Sequence, residues 1–232
     1  MLYDKDIREP LFEYLDEKIG NNRIIEEKQI GKSRADVMMI TEEAIWGIEI
    51  KSDADTYVRL DRQVKDYNRF FDYNMVVVGS SHAEHIEEHV PEYWGIITVE
   101  EFNDQAETIS SGESNPAGKM VDMKVDFYML REPKRNPKRE KTILFRNQIS
   151  FLWRPELAHI QEINRMHKYA RLSKLDLVKK MMETVPAEEL KKQVCAELMN
   201  RDYTTIAETI NAYRAEQGRR PKRAGKKKRV KV

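Results

Sequence analysis

What this chain of 232 residues lacks narrows its chemistry before any motif is read. It has one cysteine, Cys195, so neither a disulfide framework nor a four-cysteine zinc or iron–sulfur site can be built within it. No apolar run approaches the roughly 20 residues that cross a bilayer, so no membrane partner is expected. The opening residues MLYDKDIREP are acidic and polar where a signal peptide would be basic and then apolar. Together with the lone cysteine this makes the cytoplasm the expected location. A Walker-type glycine loop, a nucleophile elbow and a dinucleotide fingerprint are all missing, and no internal repeat is visible.

Acid is missing from the C-terminal end. The segment Arg219–Val232, RRPKRAGKKKRVKV, holds nine Lys/Arg and no carboxylate: Arg219, Arg220, Lys222, Arg223, Lys226, Lys227, Lys228, Arg229 and Lys231. Taking these nine from the 41 basic residues leaves 32 against 40 acids, a net of −8 hidden beneath the overall +1. A like-charge block of this kind reads as a disordered tail that touches polyanions, and nucleic-acid phosphates are the expected partner.

What is present is ample material for a core: 40% hydrophobic and 35% charged residues, enough for one generous domain or one domain with a helical appendage. Ile7, Leu11, Leu15 and Ile19 step along one face of a helix over residues 5–19, which Gly20 and Asn21 stop. Three strand-like runs follow, Ile24–Ile30, Ala35–Ile40 and Ala44–Lys51. The turns between them are short enough for antiparallel neighbours. Thr56–Asp72 reads as a helix, Asn74–Ser81 as a strand buried on both faces, His82–Val90 as a polar helix and Trp94–Val99 as a fifth strand. The order α-β-β-β-α-β-α-β implies an α/β fold, an antiparallel meander completed by crossovers into a mixed sheet. Residues 103–119 read as a flexible loop or linker. Val121, Met123, Val125, Phe127 and Met129 alternate as a strand expected to pair with Thr142–Arg146. From Pro155 to Gly218 the chain reads as helix, with breaks near Ser173, Pro186 and Asp202. The implied division is a core over 1–102, an accessory strand pair and helical region over 120–218, and the basic tail over 219–232.

The third strand carries a carboxylate and an ammonium where apolar residues would be ordinary. Alternation puts Ile48 and Ile50 on one face and Gly47, Glu49 and Lys51 on the other. Pairing through the Thr41–Glu43 turn can bring Asp36 near Glu49. Two carboxylates, a lysine and the backbone carbonyl of Ile50 would make an oxygen-ligand site for Mg²⁺ or Mn²⁺. There Lys51 can hold or deprotonate a water that the metal activates. Gly47 would leave room for a substrate backbone. The plain alternative is an edge-strand pair facing solvent.

ADVMMI followed by WGIEIK resembles the paired motif of the PD-(D/E)xK, or restriction-endonuclease-like, nuclease superfamily, over roughly residues 5–100 and with the same element order. Ala35 stands where the motif has proline. Within the superfamily, EIKSDADTYVRLDRQVKDYNRFFD is similar to a little-characterised bacterial family carried in mobile elements. The resemblance implies Asp36 and Glu49 as metal ligands, Lys51 as catalytic lysine and Mg²⁺ or Mn²⁺ as cofactor. Gln63 and Tyr67, four apart on the next helix, resemble the Q-x-x-x-Y element of RecB-type and λ-exonuclease-like nucleases and would support the active site. Arg59 and Lys65 can contact phosphates from that region. Such nucleases often add an acid from the first helix or strand; Glu13, Glu26 and Glu27 are available, and Glu27 is preferred.

Three further patterns carry less. His82, His85 and His89 share one side of a short helix but lack a fourth zinc ligand. Tyr203–Tyr213 resembles the second helix of a helix-turn-helix without a recognition helix after it. Trp46, Trp94 and Trp153 read as core anchors. The expectation is therefore a metal-dependent nuclease that hydrolyses DNA with a metal-activated water, with a homo-oligomer left open. The alternative is a catalytically silent nucleic-acid-binding or assembly subunit that keeps the fold.

Overall fold

Leucine and isoleucine at every fourth position do build the first helix, α1 (Asp4–Ile19), and bury Ile7, Leu11 and Leu15. A step of four residues overshoots the 3.6-residue turn, so Ile19 drifts to a half-buried position. The computed structural model describes residues 2–102, 124–137, 142–203, 205–216 and 218. Within them the chain forms two compact units, Met1–Gln148 and Ile149–Val232. The basic tail 219–232 and the expected linker 103–119 lie outside the described residues.

The first unit is one six-stranded sheet in the order β1-β2-β3-β4-β5-β6. Its strands are β1 (Arg23–Ile30), β2 (Ser33–Ile40), β3 (Ile45–Lys51), β4 (Tyr73–Gly79), β5 (Gly95–Phe102) and β6 (Lys124–Arg131). The β1–β2 and β2–β3 pairs are antiparallel, β3–β4 and β4–β5 parallel, and β5–β6 antiparallel. The mixed sheet follows the expected order. Gly31 makes the first hairpin turn with φ of 53°, a left-handed conformation that glycine adopts freely. A Cβ there would come within 2.6 Å of Asp66, whose carboxylate accepts the Lys32 N–H.

Alternation along β2–β5 sorts the core. Val37, Met39, Ile48, Ile50, Met75, Val77, Ile97 and Val99 meet Ile7, Leu11 and Leu15 of α1. The other face of β3 turns to α2 (Leu60–Phe70), which is entered through a 3₁₀ turn, Tyr57–Arg59. Gly47 sits on that face beneath Phe71, where a Cβ would lie 2.1 Å from the ring. The room expected there for a substrate is thus filled by packing, and the absent side chain serves helix-to-sheet contact.

Two more expectations are corrected. Residues 82–90 hold only α3 (Ser80–Ala83) and a 3₁₀ turn, Ile86–Glu88, in place of one polar helix. Thr142–Arg146 is no strand but part of α4 (Thr142–Ile149), and β6 pairs with β5 from Ile96↔Arg131 to Phe102↔Lys124. Burial decides it: Leu144 and Gln148, one helical turn apart, both face inward, and Gln148 Nε2 donates to Asp72 Oδ2 at 3.0 Å. The accessory strand pair is therefore replaced by a sixth strand of the main sheet.

The second unit is helical, with α5 (Arg154–Ile163), α6 (Lys174–Thr184), α7 (Ala187–Met199) and α8 (Ile206–Glu216). The expected breaks near Ser173, Pro186 and Asp202 are present, and Ser173 caps α6 by accepting the Asp176 N–H. A further break, residues 164–173, escaped the periodicity. Arg201 is fully inside, paired with Glu156 at 2.6 and 2.7 Å and stacked 3.7 Å over Trp153. No helix among the described residues is long and apolar enough to cross a membrane.

Candidate active site

β3 is the third of six strands, so Glu49 and Lys51 cannot be an edge pair facing solvent. Glu49 is 1% exposed and Lys51 4%. They lie toward the C-terminal end of β3, on the face covered by α2. Burying two charges is costly unless each is paired and hydrogen-bonded, and here each is. Lys51 Nζ meets Glu49 Oε1 at 2.7 Å and donates to Gln63 Oε1 at 3.1 Å. Gln63 Nε2 in turn donates to Glu49 Oε1. The Tyr67 hydroxyl lies 2.7 Å from Glu49 Oε2 and 3.2 Å from the Ile48 carbonyl, and accepts the Asp36 N–H. The i, i+4 spacing of Gln63 and Tyr67 thus delivers both to one carboxylate.

Asp36 joins from β2. The β2–β3 pairing runs from Ile40↔Ile45 to Val37↔Ile48, and the next step brings Asp36 beside Glu49. There the Asp36 side chain replaces a backbone partner: Oδ2 accepts the Ile50 N–H at 2.9 Å. The N–H and C=O of one strand residue point to the same side, so the Ile50 carbonyl opens toward Asp36. Burial first, then the like charge of Glu49, pushes the Asp36 carboxyl up to about 8, with the Ile50 N–H and Lys51 pulling the other way. Burial and the same two carboxylates hold the Tyr67 hydroxyl well above its ordinary value. This is the electrostatics of a half-buried anionic pocket with too little positive charge, which a cation would relieve.

The structure does not bring the remaining candidates to this point. Among the described residues no third His, Cys, Asp or Glu completes a cluster with Asp36 and Glu49. Glu27 is exposed, in a left-handed conformation (φ 53°) between the pairs Glu26↔Val37 and Lys28↔Ala35. Its carboxylate is held by Arg8 at 3.0 Å and Arg34 at 2.5 Å. Glu26 meets Arg8 at 3.1 Å, and Glu13 lines a shallow groove between α1 and β6. Arg59 and Lys65 are exposed. His82 and His89 pack against the Tyr57 ring, at centroid distances of 4.9 and 4.1 Å, and form no metal cluster. The tail cations Arg219, Arg220, Lys222, Arg223, Lys226, Lys227, Lys228, Arg229 and Lys231 lie outside the described residues.

Two residues of α1 were not anticipated. Arg8 donates to the Asp36 carbonyl at 3.3 Å and to the Asp4 carboxylate at 3.0 and 3.1 Å. Burial opposes its charge, but bonding to Asp4 and Glu26 outweighs this and holds the guanidinium above its ordinary value. Asp4 is near enough for its charge to be felt at Asp36. The only sequence clue was the i, i+4 Asp4–Arg8 pair.

Fold and site define a mixed α/β protein with a buried carboxylate–lysine pair on an inner strand. A family model described as bacteriophage P4 protein cII matches residues 1–220, and the chain belongs to that family. This accords with the expected origin in a mobile element. Neither the curated proteins nor the solved structures gave a significant match.

Proposed function

We propose that the protein is a divalent-metal-dependent nuclease of the PD-(D/E)xK type that hydrolyses DNA phosphodiester bonds. The observation that carries this reading is the convergence of Asp36, Glu49 and Lys51, with Gln63 and Tyr67 both bonded to Glu49. A binding module has no need to bury a carboxylate and an ammonium on an inner strand and bond them this fully. The donor set fits a hard cation: two carboxylates and the Ile50 carbonyl, all oxygen, in a pocket where Lys51 does not offset the burial and the carboxylate repulsion at Asp36. Mg²⁺ or Mn²⁺ held there would supply Lewis-acid stabilisation of phosphate charge and lower the pKa of a water.

The chain's own residues do the rest. Lys51 is fixed by Glu49 and Gln63 and presents its remaining N–H to the attacking water or a phosphate oxygen. Tyr67 and Gln63 hold Glu49 in one rotamer, which keeps Lys51 aimed. Arg8 steadies Asp36 through its carbonyl.

The test is purified protein with Mn²⁺ against linear, circular, single-stranded and branched DNA, beside the Glu49→Ala and Lys51→Ala variants. Cleavage should fall at least about a hundredfold in each, the scale of losing a positioned acid–base group, with DNA binding retained. Undiminished cleavage by Glu49→Ala would sink the assignment. Absence of both cleavage and Mn²⁺ binding at millimolar concentration would favour the catalytically silent subunit.

A further inference from the structure

Between α5 and α6 the chain runs from residue 163 to residue 175 without an acid, and it carries Arg165, Lys168, Arg171 and Lys174. The cations recur every third residue. The backbone turns in steps of the same length: Arg165 N–H donates to Glu162 O at 2.9 Å, Tyr169 N–H to Met166 O at 3.0 Å, Ala170 N–H to His167 O at 3.1 Å and Leu172 N–H to Tyr169 O at 3.1 Å. The 3₁₀ turn proper is His167–Tyr169, and Arg165, Lys168 and Arg171 crowd along this short, tightly turned segment as a basic ridge. All three are exposed, and none pairs with a carboxylate among the described residues.

The backbone beneath this ridge is fixed from inside. Buried Gln161 accepts the Met166 N–H on its carbonyl and returns a bond from Nε2 to the Met166 carbonyl, both at 2.8 Å. Arg154 donates to the carbonyls of Ala170 at 3.0 Å and Leu172 at 2.9 Å. Lys174 turns inward to the carbonyls of Ser150 and Leu152. Arg165 is held in the left-handed region at φ 54°, which is strained for a non-glycine residue and persists only where the surroundings impose it. Lys168 lies 5.0 Å over the Tyr169 ring, which steadies its stem. Cations that merely solvate a surface need no such clamp.

We propose that this ridge docks the phosphate backbone of duplex DNA without reading its bases. A group of exposed, unpaired cations on a fixed backbone matches a polyanion, and each phosphate it neutralises releases counterions. An anionic membrane would call instead for an amphipathic helix with a broad apolar face, and the ridge stands on a three-residue 3₁₀ turn. This inference does not depend on cleavage, since it concerns binding by the second unit.

The test is fluorescence anisotropy of the full chain with a labelled duplex across about 50–200 mM salt. The variant Arg165→Gln/Lys168→Gln/Arg171→Gln is compared with a matched control, Lys18→Gln/Lys32→Gln/Lys192→Gln, after circular dichroism shows both folded. The ridge variant should flatten the log K against log salt slope by about 2–3, at ~0.9 for each phosphate no longer neutralised, and weaken binding at least about tenfold at low salt. The control should do neither. Equal effects in both triples, or an unchanged slope in the ridge variant, overturn the proposal. So does loss of binding to phosphatidylserine vesicles with duplex binding intact, which would reassign the ridge to membranes.

Discussion

Asp36 is held in a place that disfavours its charge, and its net effect on stability follows from that. Its folded-state pKa of about 8 exceeds the unfolded value of about 4, so the folded state binds the proton more tightly. Stability conferred by that proton is full at low pH and is lost as pH rises through the folded value. Asp36→Asn keeps an oxygen for the Ile50 N–H but removes the charge. With a chelator present, the variant should melt above the parent at pH 9, by roughly 2–8 °C for a gain of about 1–2 kcal/mol, and the difference should vanish below about pH 4. Metal-dependent cleavage should be lost at the same time. A variant that melts lower at pH 9 would show that the carboxylate is stabilising and that the pocket does not want a cation. Alternation along β3 and the short β2–β3 turn made Asp36, Glu49 and Lys51 legible in the sequence, while Gln63 and Tyr67 stood out through their resemblance to the Q-x-x-x-Y element, with i, i+4 spacing placing both on one face. Arg8 was not: its approach to Asp36 depends on how α1 crosses the sheet, and no local spacing encodes that.

At the scale of elements, Gly47 shows how the same rules can identify a face and miss its use. Alternation put Gly47 beside Glu49, and both do lie on the α2 side of β3. What decides its role is Phe71 at the end of α2, whose ring occupies the position of the missing Cβ at 2.1 Å. Gly47→Ala would force ring or backbone apart in a packed layer, and overpacking of this kind costs about 1–3 kcal/mol. The unfolding midpoint should fall by several degrees; an unchanged midpoint would mean that Phe71 moves aside freely. The exchange of a strand for α4 has a related origin. TILF is short, β-branched and apolar, so local preference leaves helix and strand nearly balanced. The inward pair Leu144 and Gln148 settles it through partners, Asp72 above all, which lies 76 residues from Gln148.

The whole molecule divides where composition gave no sign. The polar stretch after Phe102 reads as a boundary, yet the chain returns to the same sheet and the first compact unit ends at Gln148. That return completes buried hydrogen bonding. Asn136 donates to the carbonyls of Asn68 at 2.9 Å and Phe71 at 3.0 Å, and its own N–H goes to the Asp72 carbonyl. Arg131 donates to the Trp94 carbonyl at 2.7 Å. Val125, Phe127 and Met129 of β6 pack on the α1 side of the core. A fragment cut at residue 102 strands these buried polar groups, each at a cost of about 1–3 kcal/mol. It also bares the edge of β5, an invitation to aggregate. A fragment of residues 1–148 keeps them all. The longer fragment should therefore unfold in one cooperative transition followed by circular dichroism, while the shorter one shows none or precipitates. Because Asp36, Glu49, Lys51, Gln63 and Tyr67 lie within residues 1–148, that fragment should also retain Mn²⁺-dependent cleavage, with weaker binding to DNA from loss of the second unit's cations. Cooperative unfolding of the 1–102 fragment at the midpoint of the 1–148 fragment would show instead that β6 and α4 are dispensable additions to a core that closes without them.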